Sequence, residues 1–155
     1  MTESREKALA RLEVLVGEWD VTVRFPGQQE PAGETGGGAA PAARSLFEWT
    51  LDRQFLVQRT EVPVPEAPDS MTVISADEDT GGYTQHYYDS RGVARIYKMT
   101  LDGETWKLRR DAPGFWQRYS GQVSPDGTVI AGAWEASADG RDWKRDFGLT
   151  YFKVG

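Results

Sequence analysis

Seven side chains in this sequence carry groups suited to recognising or acting on a small molecule: Trp49, His86, Arg95, Tyr97, Arg118, Trp134 and Arg145. Their types point to binding before catalysis. An arginine set among rings offers a fixed positive charge to a carboxylate or an enol oxygen, and Tyr and Trp add a hydrogen-bonding tip to an apolar body. His86 is the single histidine of the chain. Facing inward beside Arg95 it would resist protonation and could act as a general base; facing outward it is an ordinary strand histidine.

The spacings that announce catalysis are missing. The sequence contains no Ser/His/Asp order, no paired-carboxylate motif, no phosphate-cradling glycine loop and no metal-ligand spacing. With no cysteine, thiolate chemistry, a disulfide framework and cysteine-ligated zinc or iron–sulfur centres are excluded. No cofactor is expected on these grounds. A formal charge of -6 sets the chain against a phosphate backbone, so nucleic acid is not an expected partner. The first residues, Thr2-Glu3-Ser4-Arg5-Glu6-Lys7, are charged, and Glu13 and Gly17-Glu18 interrupt the nearest apolar stretch. That leaves no signal-peptide core and nothing of transmembrane length, so a cytoplasmic protein without a membrane partner is expected.

The elements that must position these side chains are mostly strands. A chain of 155 residues fits a single domain, 1–155. Leu9, Leu12, Leu15 and Val16 recur at helical spacing between a Ser4 cap and Gly17, which predicts an amphipathic helix over 4–16. From Trp19 the period becomes two: Trp19, Val21, Val23 and Phe25 alternate with polar residues as in a half-buried strand. Residues 26–44, with Gly36-Gly37-Gly38 and several prolines, read as a flexible loop. Such a loop serves as a lid over a cavity mouth or is a tolerated insertion.

Nine further strands follow, the first through Phe47, Trp49 and Leu51, the next over 55–62. The rest are expected near 70–77, 83–88, 93–101, 104–111, 115–123, 128–137 and 142–153, separated by turns such as Asp102-Gly103, Asp126-Gly127 and Asp139-Gly140. Ten consecutive antiparallel strands leave two open edges unless the sheet closes, which predicts an all-β, closed up-and-down barrel with a short N-terminal helix. A β-sandwich is the alternative. Closure at this strand number leaves room for a ligand cavity.

Turn length then assigns faces. A two-residue Asp102-Gly103 turn puts Val93, Arg95, Tyr97, Met99, Trp106, Leu108 and Arg110 on one largely apolar, inward face, with Arg110 near the rim. The same geometry at Asp139-Gly140 groups Ile130 and Trp134 with Trp143, Arg145, Phe147, Leu149 and Tyr151. Arg145 is then either a ligand anchor or a structural cation stacked on Trp19. The strand around Phe115-Trp116-Gln117-Arg118-Tyr119 is aromatic on both faces. A three-residue loop at Pro125-Asp126-Gly127 turns Arg118 inward opposite Trp134; the alternative buries Gln117 and Tyr119.

A helix followed by Val16-Gly17-Glu18-Trp19 at the first strand, then Tyr87-Tyr88-Asp89, Trp134-Glu135, Asp139-Gly140 and Trp143 in a β-meander, resembles the calycin superfamily of lipocalins, fatty-acid-binding proteins and nitrobindins. Within it the chain is similar to a bacterial lipocalin-like family of unknown function. The resemblance implies a barrel with an internal site, and through nitrobindin it raises haem. Against haem, Val21 and Val23 stand where nitrobindins continue with alternating glycines, and 142–155 holds no histidine; only His86 could ligate iron.

The expected function is therefore a small-molecule-binding barrel, holding a largely apolar or amphipathic ligand against aromatic walls with Arg and Tyr anchors. A cofactor-independent isomerase or cyclase using His86, Tyr97 or an arginine, and a nitrobindin-like haem barrel, are the alternatives. Association into a homodimer is left open.

Overall fold

The structure, a computed structural model, describes residues 2–24, 43–65, 67–77 and 79–154. Helix α1 (Thr2–Arg11) passes into a short 3-10 turn (Leu12–Leu15), and ten strands follow: β1 (Gly17–Arg24), β2 (Ala43–Thr50), β3 (Phe55–Glu61), β4 (Ser70–Ala76), β5 (Tyr83–Asp89), β6 (Ala94–Leu101), β7 (Thr105–Arg110), β8 (Trp116–Val123), β9 (Val129–Ser137) and β10 (Lys144–Lys153). Each strand pairs antiparallel with its sequence neighbours, and β10 returns to β1 through Trp19↔Lys153 to Arg24↔Gly148, closing the barrel. The sandwich alternative is thereby eliminated. No helix among the described residues is long and apolar enough to cross a membrane.

The helix, which begins at Thr2 ahead of the expected Ser4 cap, and the long loop after β1 depart from the sequence pattern. The α-helix ends at Arg11 because the chain tightens there, closing on a Val16 N–H to Glu13 carbonyl bond. The expected loop over 26–44 loses its last two residues to β2, where Arg44 bonds Asp20 at 2.8 Å and Glu18 at 3.3 Å. The rest of that loop, including its suggested role as a lid, lies outside the described residues.

The N-terminal segment plugs one end of the barrel. Ala8, Leu12 and Leu15 are buried, and three side chains from the wall grip its backbone and flank. Trp19 Nε1 donates to the Leu15 carbonyl at 2.8 Å, Tyr83 Oη to the Ala8 carbonyl at 2.6 Å, and Trp49 Nε1 to Glu13 Oε1 at 2.8 Å. Burying Leu12 and Leu15 at about 1.5–3 kcal/mol each, with a smaller gain from the Ala8 methyl, exceeds such bonds, worth about 1 kcal/mol apiece, so burial seats the plug and the bonds orient it.

Above the plug runs a column of rings. Phe47 meets Trp106, Trp106 meets Tyr119, Tyr119 meets Trp134, and Trp134 meets Tyr97 and Phe147, with centroids 5.4–6.5 Å apart. Opposite it lies a polar seam: Gln58 Nε2 donates to Ser45 Oγ and Tyr151 Oη, and Thr72 Oγ1 donates to Gln58 Oε1. One close approach depends on glycine. Gly121 and Gly132 face each other across β8 and β9, and the Tyr119 ring lies over both, so a Cβ on Gly132 would stand 2.5 Å from Tyr119 Oη.

Candidate functional site

At the end opposite the plug the interior becomes polar again. Arg95 and Tyr97 share the inner face of β6, and Gln117 points inward from β8, two strands away. Arg95 Nη1 and Tyr97 Oη both donate to Gln117 Oε1, at 3.4 and 3.1 Å. Rings surround this cluster: Tyr87 at 6.4 Å and Trp134 at 5.5 Å from Tyr97, Phe147 beyond Trp134, and Phe115 beneath the Arg95 guanidinium at 5.5 Å. Tyr87, Trp134, Phe147 and Leu149 are only partly buried, unlike Trp19, Phe47, Trp106 and Tyr119 nearer the plug.

The electrostatics make the cluster a set of donors. Burial pushes the Tyr97 hydroxyl up from its ordinary value, and the nearby Arg95 and Arg110 charges only partly offset this, so at neutral pH it carries its proton. Deeper in, Gln85, the cross-strand neighbour of Tyr97, has a buried Oε1 with no hydrogen-bond partner, and Trp106 has a buried Nε1 in the same condition. Each such orphan costs about 1–3 kcal/mol unless a guest or solvent molecule meets it.

Beside the cluster, Asp89 ties off the β5–β6 turn. It accepts from Tyr87 Oη at 2.8 Å and Arg91 Nη2 at 2.7 Å, and from the Arg91 and Val93 amides. The Arg91 bond, with Tyr87 and the backbone amides in support, holds its carboxyl well below the usual carboxylate range against the opposing effect of burial. Burial and the Asp89 carboxylate together push the Tyr87 hydroxyl up to about 12.

Of the seven side chains singled out from the sequence, the structure gathers Arg95, Tyr97 and Trp134 at this end. Trp49 is elsewhere. It faces inward at the plugged end, bonded to Glu13 with the Arg53 guanidinium 4.8 Å from its ring. His86 points outward, because Gln85 and Tyr87 take the inward positions of β5 and the register alternates strictly. It is partly exposed on the outer wall between Val73 and Ile96. The barrel interior therefore lacks an imidazole, so His86 serves there neither as a general base nor as an axial ligand to haem.

Arg118 is also outside. Val123 pairs with Ile130, an even spacing that sets Tyr119 opposite Trp134 and buries Gln117 and Tyr119, the second of the two arrangements the sequence allows. Arg118 instead bonds Glu135 at 2.7 Å and stacks on Trp143 at 4.0 Å. Arg145 lies outside for a different reason. A bulge between Arg145 and Phe147 shifts the register, so Phe147 faces Trp134 inside while Arg145 faces Glu135 on the outer wall. The cation that approaches Trp19 is Lys153, at 5.4 Å.

Gln85 is the site residue the sequence pattern leaves unmarked, and Gln117 is inward in only one of the two arrangements that pattern allows. A glutamine in an alternating strand reads as solvent-facing; the signal available was the aromatic neighbour on each side at the same parity, Tyr119 for Gln117 and Tyr83 and Tyr87 for Gln85.

No family model matches this sequence, and no curated protein matches it. Solved structures do share its architecture. One is the crystal structure of Rv2717c from M. tuberculosis, 13% identical, with a TM-score of 0.59 over 96% of this chain and 98% of that one. At that identity the likeness concerns the fold alone.

Proposed function

We propose that the protein is a calycin-like binding barrel that holds a small, largely apolar molecule with a carboxylate or carbonyl end at the barrel end opposite the N-terminal plug. The observation that carries this reading is the convergence of Arg95 and Tyr97 on Gln117 Oε1 among partly exposed rings. A guest oxygen entering there replaces one neutral amide acceptor and meets a guanidinium and a protonated phenol, while Tyr87, Trp134 and Phe147 cover its apolar body. The unpartnered Gln85 Oε1 and Trp106 Nε1 support the same reading, since a guest with a polar group further along would find both an acceptor and a donor.

The test has two arms. Native mass spectrometry of the purified protein is expected to show a co-purified mass that denaturation releases, and anilinonaphthalene sulfonate is expected to fluoresce on binding and be displaced by a medium-chain fatty acid. Tyr97→Phe with Arg95→Ala should weaken the fatty acid about tenfold or more, the worth of one charged and one neutral hydrogen bond. A protein that is empty by mass spectrometry and leaves the dye dark overturns the proposal.

A further inference from the structure

The ladder between β6 and β7 stops early. It runs from Leu101↔Trp106 to Lys98↔Arg109, although β6 continues to Ala94. After Arg110 the chain turns away through residues 111–115, where the Phe115 amide bonds the Ala112 carbonyl. What this leaves on β6 follows from two turn hydrogen bonds. On one side the Asp89 amide bonds the Val93 carbonyl, and on the other the Asp102 amide bonds the Thr105 carbonyl. Both pairs stand directly opposite in register, and in an antiparallel ladder such bonded pairs recur at every second residue. The odd residues of β6 therefore spend their backbone groups on β5, and the even ones turn to β7. Lys98 finds Arg109 there; Ile96 and Ala94 find no backbone partner among the described residues.

This open edge lines a groove of about 620 Å³ in the outer wall. Ile96, itself 60% exposed, forms its apolar floor with His86 and Tyr88. Four cations surround it, Arg95, Lys98, Arg109 and Arg110, against one carboxylate, Asp111, which is engaged by Arg109 at 2.6 Å. Lys98 has no side-chain partner among the described residues. On a chain of net charge -6 this is a concentration of positive charge beside unpaired backbone donors and acceptors.

We propose that the open edge of β6 binds a short, extended, acidic peptide segment as an added antiparallel strand. The dimensions agree. A strand residue fills roughly 3.4 by 4.8 by 10 Å, about 160 Å³, so the groove takes about four residues, and two open rungs, at Ile96 and Ala94, span about the same length. Register sets the side chains. The peptide residue opposite Ile96 points outward beside the apolar floor, next to Lys98 and Arg109 where β7 ends; the one opposite Arg95 points inward toward Arg95 and Arg110, and the one opposite Ala94 points outward again. An aliphatic residue flanked by acids satisfies all of these. A second copy of β6 would bring two sets of these cations together, which disfavours self-pairing. The proposal does not rest on the ligand reading of the barrel mouth, since Ile96, Lys98 and the backbone edge have no part in it.

The probe is a fluorescein-labelled, end-capped Glu-Glu-Val-Glu-Glu peptide, followed by fluorescence anisotropy. The same peptide with an N-methyl group on its valine keeps the charge and loses the strand-pairing donor. It is expected to bind at least about tenfold more weakly, as is the unmodified peptide to Ile96→Pro, which removes an amide that no ladder uses. Thermal unfolding verifies that this variant keeps its fold, and the methylated peptide tests wild-type protein without that concern. Lys98→Glu should weaken binding several-fold. Absence of binding to wild type overturns the proposal. So does equal affinity for both peptides, which would reveal only charge adsorption, or a concentration-dependent dimer abolished by Ile96→Pro without peptide binding, which would reveal self-association.

Discussion

Tyr97 Oη donates to Gln117 Oε1 across 3.1 Å and so ties β6 to β8 over the end of β7, close to where the β6–β7 ladder has ceased. The bond bridges the part of the wall that backbone pairing leaves unsupported. Removing the hydroxyl in Tyr97→Phe should cost about 1 kcal/mol of stability, the net worth of a neutral hydrogen bond. Gln117→Leu, which also leaves the buried hydroxyl without an acceptor, should cost about 1–3 kcal/mol. Denaturant titration of both variants checks the order; equal stability to wild type in both would show that the bridge contributes nothing.

Asp89 gives the fold an acid-sensitive corner. Because its carboxyl is held well below the usual range in the folded protein, its stabilisation is present above the ordinary carboxylate pKa and is lost as pH falls through the depressed folded value. Asp89→Asn should therefore be about 1–3 kcal/mol less stable than wild type at neutral pH. That gap should narrow from about pH 5 toward pH 2. Urea titrations at several pH values measure it, and a gap independent of pH would contradict the assignment.

The buried tyrosines set an alkaline limit. Burial pushes Tyr151 up to about 12, acts with Asp89 to the same level on Tyr87, and raises Tyr119 well above the ordinary value of 10.0. A raised folded value means stability is intact below about 10 and is lost as pH rises through about 12. Tyrosinate absorbance for these rings should appear together with loss of the sheet signal in circular dichroism. Ionisation of all six tyrosines with the sheet signal preserved would refute the burial described for the interior.

Gly132→Ala should destabilise the barrel by about 1–3 kcal/mol, because the new methyl group meets two obstacles at once. One is the Tyr119 side chain, with Oη at 2.5 Å and the ring carbon Cζ at 2.6 Å, and the other is the backbone carbonyl of Ser120 at 2.6 Å. Only the hydroxyl can be removed without losing the ring. Adding Tyr119→Phe should therefore leave most of the loss in place and also sacrifice the 3.2 Å bond from Tyr119 to the Leu149 carbonyl. A lowering of the thermal midpoint by several degrees in the single variant, unrelieved in the double, is the expected result.

Strands were legible in the sequence because their cause is local. Alternation at period two and Asp-Gly turns act over a few residues, so ten strands and one helix could be placed to within about two residues at most ends. Even the Asp102-Gly103 turn, which closes on Leu101↔Trp106 and not on Leu101 opposite Glu104, keeps the expected inner face, since the shift is an even number of residues. Tertiary structure decided what parity leaves undetermined. One extra residue at the bulge before Phe147 sends Arg145 outside, and one residue of difference in the loop between Val123 and Ile130 exchanges Arg118 for Gln117 in the interior. Which end the helix seals, and where the β6–β7 ladder gives out, depend on packing between parts of the chain far apart in sequence. No short-range pattern records such contacts, and it is there that the candidate sites lie.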